Sequence, residues 1–142
     1  MLIGMGSNIE PERHLTAAAR EIREAYPAAR FSSVYRSPAV GMEGDDFLNA
    51  CCLIDTDRQR AELDAWLKRL EDRHGRDRTA GSWRPRTLDL DLIFFGMDCL
   101  DPDLYRYAHV HVPAAELVEL EAFAGSVSML RRVALDLSKV GP

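Results

Sequence analysis

Residues 87–95, with the sequence TLDLDLIFF, carry the clearest pattern in the chain and decide its predicted fold. Apolar and acidic residues alternate along most of this segment, which is typical of a β-strand with one face against a core. Asp89 and Asp91 then share one face, with α-carbons roughly 6.6–7 Å apart. The opposite, core face is expected to carry four apolar side chains, namely Leu88, Leu90, Leu92 and Phe94.

Five further segments complete a β-α-β-β-α-β order around this strand. The expected strands are Leu2–Gly6, Phe31–Tyr35 and Phe47–Asp55, and Gly96 is expected to end the strand at 87–95. The expected helices run from Pro11 to about Tyr26, and from a cap at Thr56 or Asp57 to Gly75. Loops are expected at Ser37–Asp46 and Arg76–Pro85, and another short helix at Ala114–Phe123. This order predicts a ferredoxin-like α+β fold, in which an antiparallel sheet carries its helices on one face.

The length and composition favour one domain over residues 1–142. The net charge of −5 argues against general nucleic-acid binding, which needs a basic surface. No apolar run approaches the ~20 residues that span a bilayer, and the first residues, MLIGMGSN, lack signal-peptide features, so we expect a cytoplasmic protein without a membrane partner. Cys51, Cys52 and Cys99 fit no disulfide framework or metal pair, and three buried thiols are expected. Nothing in the sequence indicates an oligomeric state.

A cluster of basic residues precedes the strand at 87–95. Seven of the 18 basic residues fall between Lys68 and Arg86, and six of those seven are arginines. A cationic patch on an acidic chain favours a small anionic ligand. Arginine binds phosphate oxygens bidentately, and paired aspartates are ligands for Mg²⁺, so together they favour phosphoryl transfer. The alternatives are a solvated, charged sheet face and surface ion pairs between the arginines and the aspartates.

Aromatic, amide and histidine side chains supply weaker signals. Trp83 lies among polar loop residues, which favours a lid or stacking role over a core role. Phe47 beside Asn49 suits a flat heterocycle with amide-like edges. His109 and His111 are expected to alternate on an extended segment, where one could contact a phosphate or both could be structural. Zinc is disfavoured because no third ligand has suitable spacing.

Several motifs follow one another along the chain from Gly6 to about Phe95. The most specific is WRPRTLDLD at residues 83–91, and the others are GSN at 6–8, RSPAVG at 36–41, FLNA at 47–50 and Glu71 followed by Gly75-Arg76. In this order they resemble the 6-hydroxymethyl-7,8-dihydropterin pyrophosphokinase family. The resemblance implies a ferredoxin-like enzyme of folate biosynthesis. Such an enzyme transfers the β,γ-diphosphate of ATP to the hydroxymethyl group of the dihydropterin and releases AMP.

The resemblance also implies roles for the matched residues. Asp89 and Asp91 would hold two Mg²⁺ ions that bridge the ATP phosphates. Arg76 and Arg86 would bind phosphate and stabilise the charge passed to AMP, while Trp83 would belong to a loop that closes over both substrates. The pterin would be stacked by Phe47, hydrogen-bonded by Asn49 and lined by Ser37 and Val40. The nucleotide would be contacted by Lys68, Glu71, Arg78 and His109.

The chain departs from the family pattern in two places. Arg84 takes the place of a glycine before Pro85-Arg86. Only three residues separate His109 from Pro113, so a stretch that normally holds an arginine and a second stacking aromatic is missing. Nearby candidates to replace them are Tyr105, Arg106 and Tyr107.

Two functional hypotheses follow from the resemblance and its departures. The first is a Mg²⁺-dependent pyrophosphokinase with ATP as co-substrate and a pterin-like acceptor. The alternative is a non-catalytic or altered-acceptor paralogue that keeps the Mg-nucleotide site. An RNA-binding ferredoxin-like module is disfavoured, because Asp89 and Asp91 would repel RNA.

Overall fold

The computed structural model describes residues 1–38, 45–75 and 88–141. In these ranges the strands are β1 (Leu2–Ser7), β2 (Arg30–Phe31), β3 (Tyr35–Ser37), β4 (Phe47–Leu53), β5 (Asp89–Phe95), β6 (Asp98–Cys99) and β7 (Arg131–Arg132). The α-helices are α1 (Pro11–Ala25), α2 (Arg60–Arg73) and α3 (Ala108–Ala115), and 3₁₀ helices occupy Pro102–Tyr105 and Leu137–Lys139. Within these ranges, every helix is too short or too polar to cross a bilayer.

The central strand of the sheet is β1. The described strands form one antiparallel sheet in the order β6-β5-β1-β4-β3-β7, and β2 also pairs with β4. β1 is therefore hydrogen-bonded on both sides, to β4 and to β5. The α+β class predicted from the sequence is confirmed, whereas the ferredoxin-like arrangement stays a prediction.

Alternating side chains divide the core into two clusters, one on each face of the sheet. On one face, Ile3 and Leu90 pack with residues of α1 and α2. On the other face, Leu2 and Ile93 pack with Ala114 of α3. The prediction of helices on one face therefore holds for α1 and α2 but not for α3, which covers part of the opposite face.

A bulge in β5 changes which of its side chains face α1 and α2. Leu2 pairs with Phe94 while Ile3 pairs with Leu92, so Ile93 is an extra residue on the β5 side. A bulge breaks the strict alternation of a strand. Ile93 and Phe94 both join the cluster with α3, so the predicted position of Phe94 on the core face with the leucines is wrong. The leucines of the strand face α1 and α2 as predicted.

Local signals mark the beginning of α1 and the end of α2. Pro11 occupies the first turn of α1, and Gly75 follows α2 with a φ of 78°, which glycine adopts without strain. The predicted cap of α2 at Thr56 or Asp57 is wrong, because the helix begins at Arg60 after Gln59. The Thr56 hydroxyl instead accepts the backbone N–H of Arg58 at 3.1 Å, which stabilises a local turn ahead of the helix.

Two predicted elements take a different form. The strand predicted at Phe31–Tyr35 is divided into β2 and β3, because Ser32 Oγ accepts the Cys51 N–H and Glu116 accepts the Ser33 N–H in place of ladder bonds. The helix predicted at Ala114–Phe123 is wrong, since α3 ends at Ala115. The extended segment predicted for His109 and His111 is also wrong, since both lie in α3. Burial of His111 and Ala114 in this helix overrides the weak helix propensity of its valines.

The three cysteines divide between buried and exposed positions. Cys51 and Cys52 are buried on opposite faces of the sheet, as predicted, and burial raises the pKa of both thiols, that of Cys52 to about 12. Cys99 is exposed on β6, so the prediction of a third buried thiol is wrong. The two-residue edge strand β6 offers too little surface to cover it.

A pair of histidines joins α1 to the end of α2. His14 Nδ1 lies 2.7 Å from His74 Nδ1, and His74 Nε2 lies 3.2 Å from Glu21 Oε2. Burial, and then the charges of His74 and Arg13, lower the pKa of His14 against an opposing effect of Glu10. A hydrogen bond between two Nδ1 atoms needs one nitrogen without a proton, so protonation of both rings would break it.

We expect acid to destabilise the fold through His14. In the unfolded chain His14 binds a proton near the ordinary histidine pKa of about 6.5, whereas in the folded chain its pKa is lower. The stability that neutral His14 contributes is therefore fully present above pH 6.5. It is lost as pH falls towards the lowered pKa, because the unfolded state then binds more protons. The free energy of unfolding in urea, measured between pH 7.5 and 5, should fall less steeply for His14→Gln than for the parent chain. Equal slopes would contradict the assignment.

Candidate active site

Two rows of residues cross the central strands on the face that carries α3. One row is Asn49, Gly6 and Asp89, and the next is Cys51, Gly4 and Asp91, each taken from β4, β1 and β5. Neighbouring strands lie about 4.8 Å apart, so each row spans roughly 10 Å. Because a glycine lies in the middle of both rows, β1 itself places no side chain between β4 and β5. Ile93 of β5 reaches over Gly4, 3.1 Å from where a Cβ would be, whereas the nearest side-chain atoms to a Cβ at Gly6 are at ordinary contact distances. The rows therefore form a trough with β4 on one wall and β5 on the other.

This trough is a cleft of about 190 Å³. Ser37, Phe47 and Asn49 line it from β3 and β4, Asp89 and Asp91 from β5, and His109 from α3. Six residues selected from the sequence, in segments far apart along the chain, thus meet in one cavity. The glycines form its floor, so the distance between its walls is set by the spacing of strands in the sheet.

The wall on β4 combines an aromatic ring with a fixed amide. Phe47 is partly buried at the beginning of β4, and Asn49 is only 6% exposed. Asn49 Nδ2 donates hydrogen bonds to the Tyr35 carbonyl at 3.2 Å and to Ser37 Oγ at 2.8 Å. This wall offers an aromatic face and polar atoms side by side, which suits a flat heterocycle.

The wall on β5 carries the two carboxylates. Asp89 is partly buried and Asp91 is exposed, and both line the cleft from the same side of the strand. In the described ranges no three histidine, cysteine or acidic side chains converge to form a metal cage. Two oxygen ligands in an open cleft fit Mg²⁺, which is commonly held by one or two carboxylates together with water and substrate phosphates.

Glu71 lies behind this wall rather than in the cleft. It is 4% exposed on α2, and its Oε2 accepts the backbone N–H of Leu90 at 2.8 Å. Leu90 lies between the two aspartates on β5. Within the described residues, β6 pairs with β5 only at Phe94 and Phe95, so Glu71 supplies the acceptor that a neighbouring strand would otherwise provide. Lys68 is exposed one helical turn earlier, and neither residue is among those that line the cleft.

Helix α3 brings one of the two candidate histidines to the cleft. His109 lines the cavity and stacks on Tyr107, with ring centroids 5.3 Å apart and an interplanar angle of 22°. Burial lowers the pKa of His109 against the opposing charges of Asp103 and Asp101, so its imidazole is neutral at pH 7. His111 instead packs between the rings of Tyr105 and Phe123, and its Nε2 lies 2.9 Å from the Glu121 carbonyl oxygen.

The three replacement candidates around the shortened segment do not line the cleft. Tyr105 OH accepts the Glu121 N–H, Arg106 contacts the carboxylate of Asp103, and Tyr107 precedes α3 with its ring against His109. In the described part of the chain the cleft thus has one ring from β4, Phe47, and one from α3, His109.

Sequence reasoning missed several residues of the cleft, among them two acidic residues and two glycines. Asp101 and Asp103 line it on the acidic side, and Asp101 also accepts the Asp103 N–H at 2.9 Å at the start of a 3₁₀ helix. The Asp-Pro-Asp sequence gives a helix-start signal but no indication that the turn faces β5. Gly6 was selected only as part of the GSN motif at residues 6–8 and Gly4 was not selected, whereas both form the floor of the cleft.

Five of the selected residues lie outside the described ranges. They are Val40, Arg76, Arg78, Trp83 and Arg86, and Arg84 of the basic cluster is also outside.

Comparison with known proteins identifies the family. A profile of the family described as 7,8-dihydro-6-hydroxymethylpterin-pyrophosphokinase (HPPK) matches residues 2–119. The chain belongs to the HPPK family. The resemblance drawn from the sequence motifs is therefore confirmed, and the matched range contains the whole cleft.

Several curated HPPK proteins are similar to this chain. Each of the three that follow is named 2-amino-4-hydroxy-6-hydroxymethyldihydropteridine pyrophosphokinase. The protein from Synechocystis sp. is 35% identical over 82% of this chain and 65% of its own length. The protein from Pseudomonas aeruginosa is 32% identical over 82% of this chain and 74% of its own length. The protein from Bacillus subtilis is 33% identical over 84% of this chain and 80% of its own length.

Proposed function

We propose that this chain is a pyrophosphokinase that transfers diphosphate from ATP to 6-hydroxymethyl-7,8-dihydropterin and releases AMP. Its membership of the HPPK family and the names of its relatives support this activity. The observation that carries the proposal is the cleft itself, in which an aromatic and amide wall faces a carboxylate wall across a glycine floor. A heterocycle against the first wall would direct its substituent towards phosphates held at the second.

The chain's own residues would bind and align the two substrates. Phe47 would stack on the pterin and Asn49 would hydrogen-bond its edge, with Ser37 and Val40 completing the pocket. His109, neutral at pH 7, would contact a phosphate through a ring nitrogen or present its ring face to the pterin. Lys68 and Arg78 would lie on the nucleotide side, and Glu71 would support the wall on β5 from behind through its hydrogen bond with the Leu90 N–H. From the motif matches, Arg76 and Arg86 would bind phosphate, and Trp83 would help to exclude water.

Asp89 and Asp91 would hold Mg²⁺, and we propose that two ions bind there. Bound there, Mg²⁺ would neutralise phosphate charge and bring the nucleotide to the wall on β5. The two aspartates lie on a paired strand, so the separation of their α-carbons is set before any substrate binds. Positioning and charge neutralisation supply most of the catalysis in phosphoryl transfer.

The finer structural and cellular features are proposed on the same grounds. The strand order β5-β1-β4 with β2 and β3 beyond β4 is compatible with a ferredoxin-like core. We also propose a single domain over residues 1–142, a cytoplasmic location, and no membrane or nucleic-acid partner, in keeping with the composition and charge.

The test is product analysis with the purified chain. Incubation with ATP, Mg²⁺ and hydroxymethyl-dihydropterin should give AMP and the pterin diphosphate in equal amounts. Reactions without pterin or with excess EDTA are the controls. ATP binding without AMP formation would favour the non-catalytic or altered-acceptor paralogue, and formation of ADP alone would exclude diphosphate transfer.

Gly6→Ala tests whether the floor of the trough binds the pterin. A Cβ at Gly6 would lie 3.6 Å from Asn49 Oδ1 and 3.8 Å from Phe47 Cδ1, which are ordinary contacts, so the fold should tolerate it. The added methyl group occupies the floor between these two side chains, and we expect the KM for the pterin to rise roughly tenfold or more. Steady-state kinetics with a thermal melt as folding control would measure this, and an unchanged KM would place the pterin elsewhere.

A further inference from the structure

The orientation of the Asn49 amide is fixed by the acceptor that faces it. The Tyr35 carbonyl oxygen cannot donate a hydrogen bond, so the side-chain atom of Asn49 that lies 3.2 Å away must be the NH₂ nitrogen. The second proton of this nitrogen goes to Ser37 Oγ at 2.8 Å. Both donor positions of the amide are therefore used inside the protein.

The remaining atom of the amide, Oδ1, faces the cleft. No described residue donates a hydrogen bond to it. It lies 3.6 Å from the place where a Cβ on Gly6 would be, and the missing side chain of Gly6 leaves it accessible from the floor of the cleft. An amide in free solution could offer either end to a ligand, whereas this one offers only an acceptor. Asn49 can therefore accept a hydrogen bond from a ligand in the cleft but has no amide proton left to donate to one.

We propose that Ser37 is a positioning residue, which together with the Tyr35 carbonyl holds Asn49 as a pure acceptor and restricts the cleft to heterocycles that present an N–H donor at its floor. This inference rests on the proposed function, because it specifies the acceptor of that reaction. The lactam N–H and the amino group of a pterin supply such donors. A ring that offers only a lone pair or an alkylated nitrogen there leaves Oδ1 without a partner in a largely buried site, which is unfavourable.

Ligand binding by the parent chain gives a test that needs no variant. Calorimetry with 6-hydroxymethylpterin should show binding, and an analogue methylated at the lactam nitrogen should bind at least tenfold more weakly. An analogue methylated at a carbon of the pyrazine ring is the steric control and should be affected less. Equal weakening by both methyl groups, or tight binding of the N-methyl analogue, would overturn the proposal.

Ser37→Ala tests the positioning role directly. Removing the hydroxyl leaves the amide with only the longer bond to Tyr35, so it can turn. We expect the KM for the dihydropterin to rise roughly tenfold, the KM for ATP to stay within about twofold, and the preference for 6-hydroxymethylpterin over the N-methyl analogue to shrink. Ser37→Thr keeps the hydroxyl and should restore most of the preference.

The outcomes separate the two proposals. If the parent chain forms no AMP, the proposed function fails, whereas ligand preference can still be measured by calorimetry. If the parent chain is active and Ser37→Ala keeps the full preference between the two pterins, the function stands and the positioning role of Ser37 is wrong. A melting temperature within a few degrees of the parent chain shows that the comparison is between folded proteins.

Discussion

Asp91→Ala is expected to lower kcat by about a thousandfold or more, because a lost metal ligand removes several kcal/mol of transition-state charge stabilisation. Asp91 is exposed at the cleft and does not belong to either core cluster, so the melting temperature should change little. The affinity for a non-hydrolysable ATP analogue in the presence of Mg²⁺ should fall as well. Product formation by stopped assay and analogue binding by calorimetry would measure both effects.

Two control variants make the Asp91 result specific. Asp91→Asn keeps the shape of the side chain but removes its charge, and should lose most of the activity. Asp98→Ala removes an exposed acid from β6 that is not among the cleft residues, and should keep full activity. If Asp91→Ala retains activity close to that of Asp98→Ala, the metal site proposed on β5 is wrong.

Glu71→Leu is expected to have the largest effect on stability. Leucine has a volume similar to that of glutamate, so packing on α2 is retained. The Leu90 N–H loses its acceptor, which destabilises the native state by about 1–3 kcal/mol. Because Leu90 lies between Asp89 and Asp91, activity should fall further than stability alone explains. Urea unfolding and kcat measured at a temperature where the variant is folded would separate the two effects.

Glu71→Gln is the matched control for this prediction. Its amide oxygen can still accept the Leu90 N–H, so the loss of stability should be smaller than for Glu71→Leu. Equal stability of the two variants would show that the hydrogen bond to Leu90 contributes little. A selective rise in the KM for ATP in Glu71→Gln, with stability retained, would instead support the contact with the nucleotide that the family resemblance implies.

The parts of the fold that could be predicted from sequence are those with strong local periodicity. The spacing of the leucines of β5 and of the apolar residues of α1 and α2 predicts which face of each element is buried, without knowledge of the rest of the chain. The bulge at Ile93 could not be predicted, because it depends on how β1 pairs with β5. The extent of α3 depends on burial against the sheet, which outweighs the local preferences of its valines.

The residues of the candidate site likewise divide into those that local patterns predict and those whose position depends on the tertiary structure. Asp89 and Asp91 were found from spacing alone, and Phe47 and Asn49 from their chemistry together with the motif match. Glu71 was expected at the nucleotide, yet it lies buried behind β5, because the open edge of that strand needs an acceptor and a helix face supplies it. Asp101 and Asp103 reach the cleft only through the path of the chain after β6, which no local pattern encodes.

The floor of the cleft is the backbone of the strand with neighbours on both sides. Amide protons of β1 are bonded to β4 and β5, so they should be among the slowest in the chain to exchange with deuterium. A ligand arriving there meets a surface that is already rigid. The entropy lost on binding must then come from the ligand and from the surrounding walls. Substitutions in those walls can therefore change which ligand binds, while the backbone of β1 beneath them stays the same.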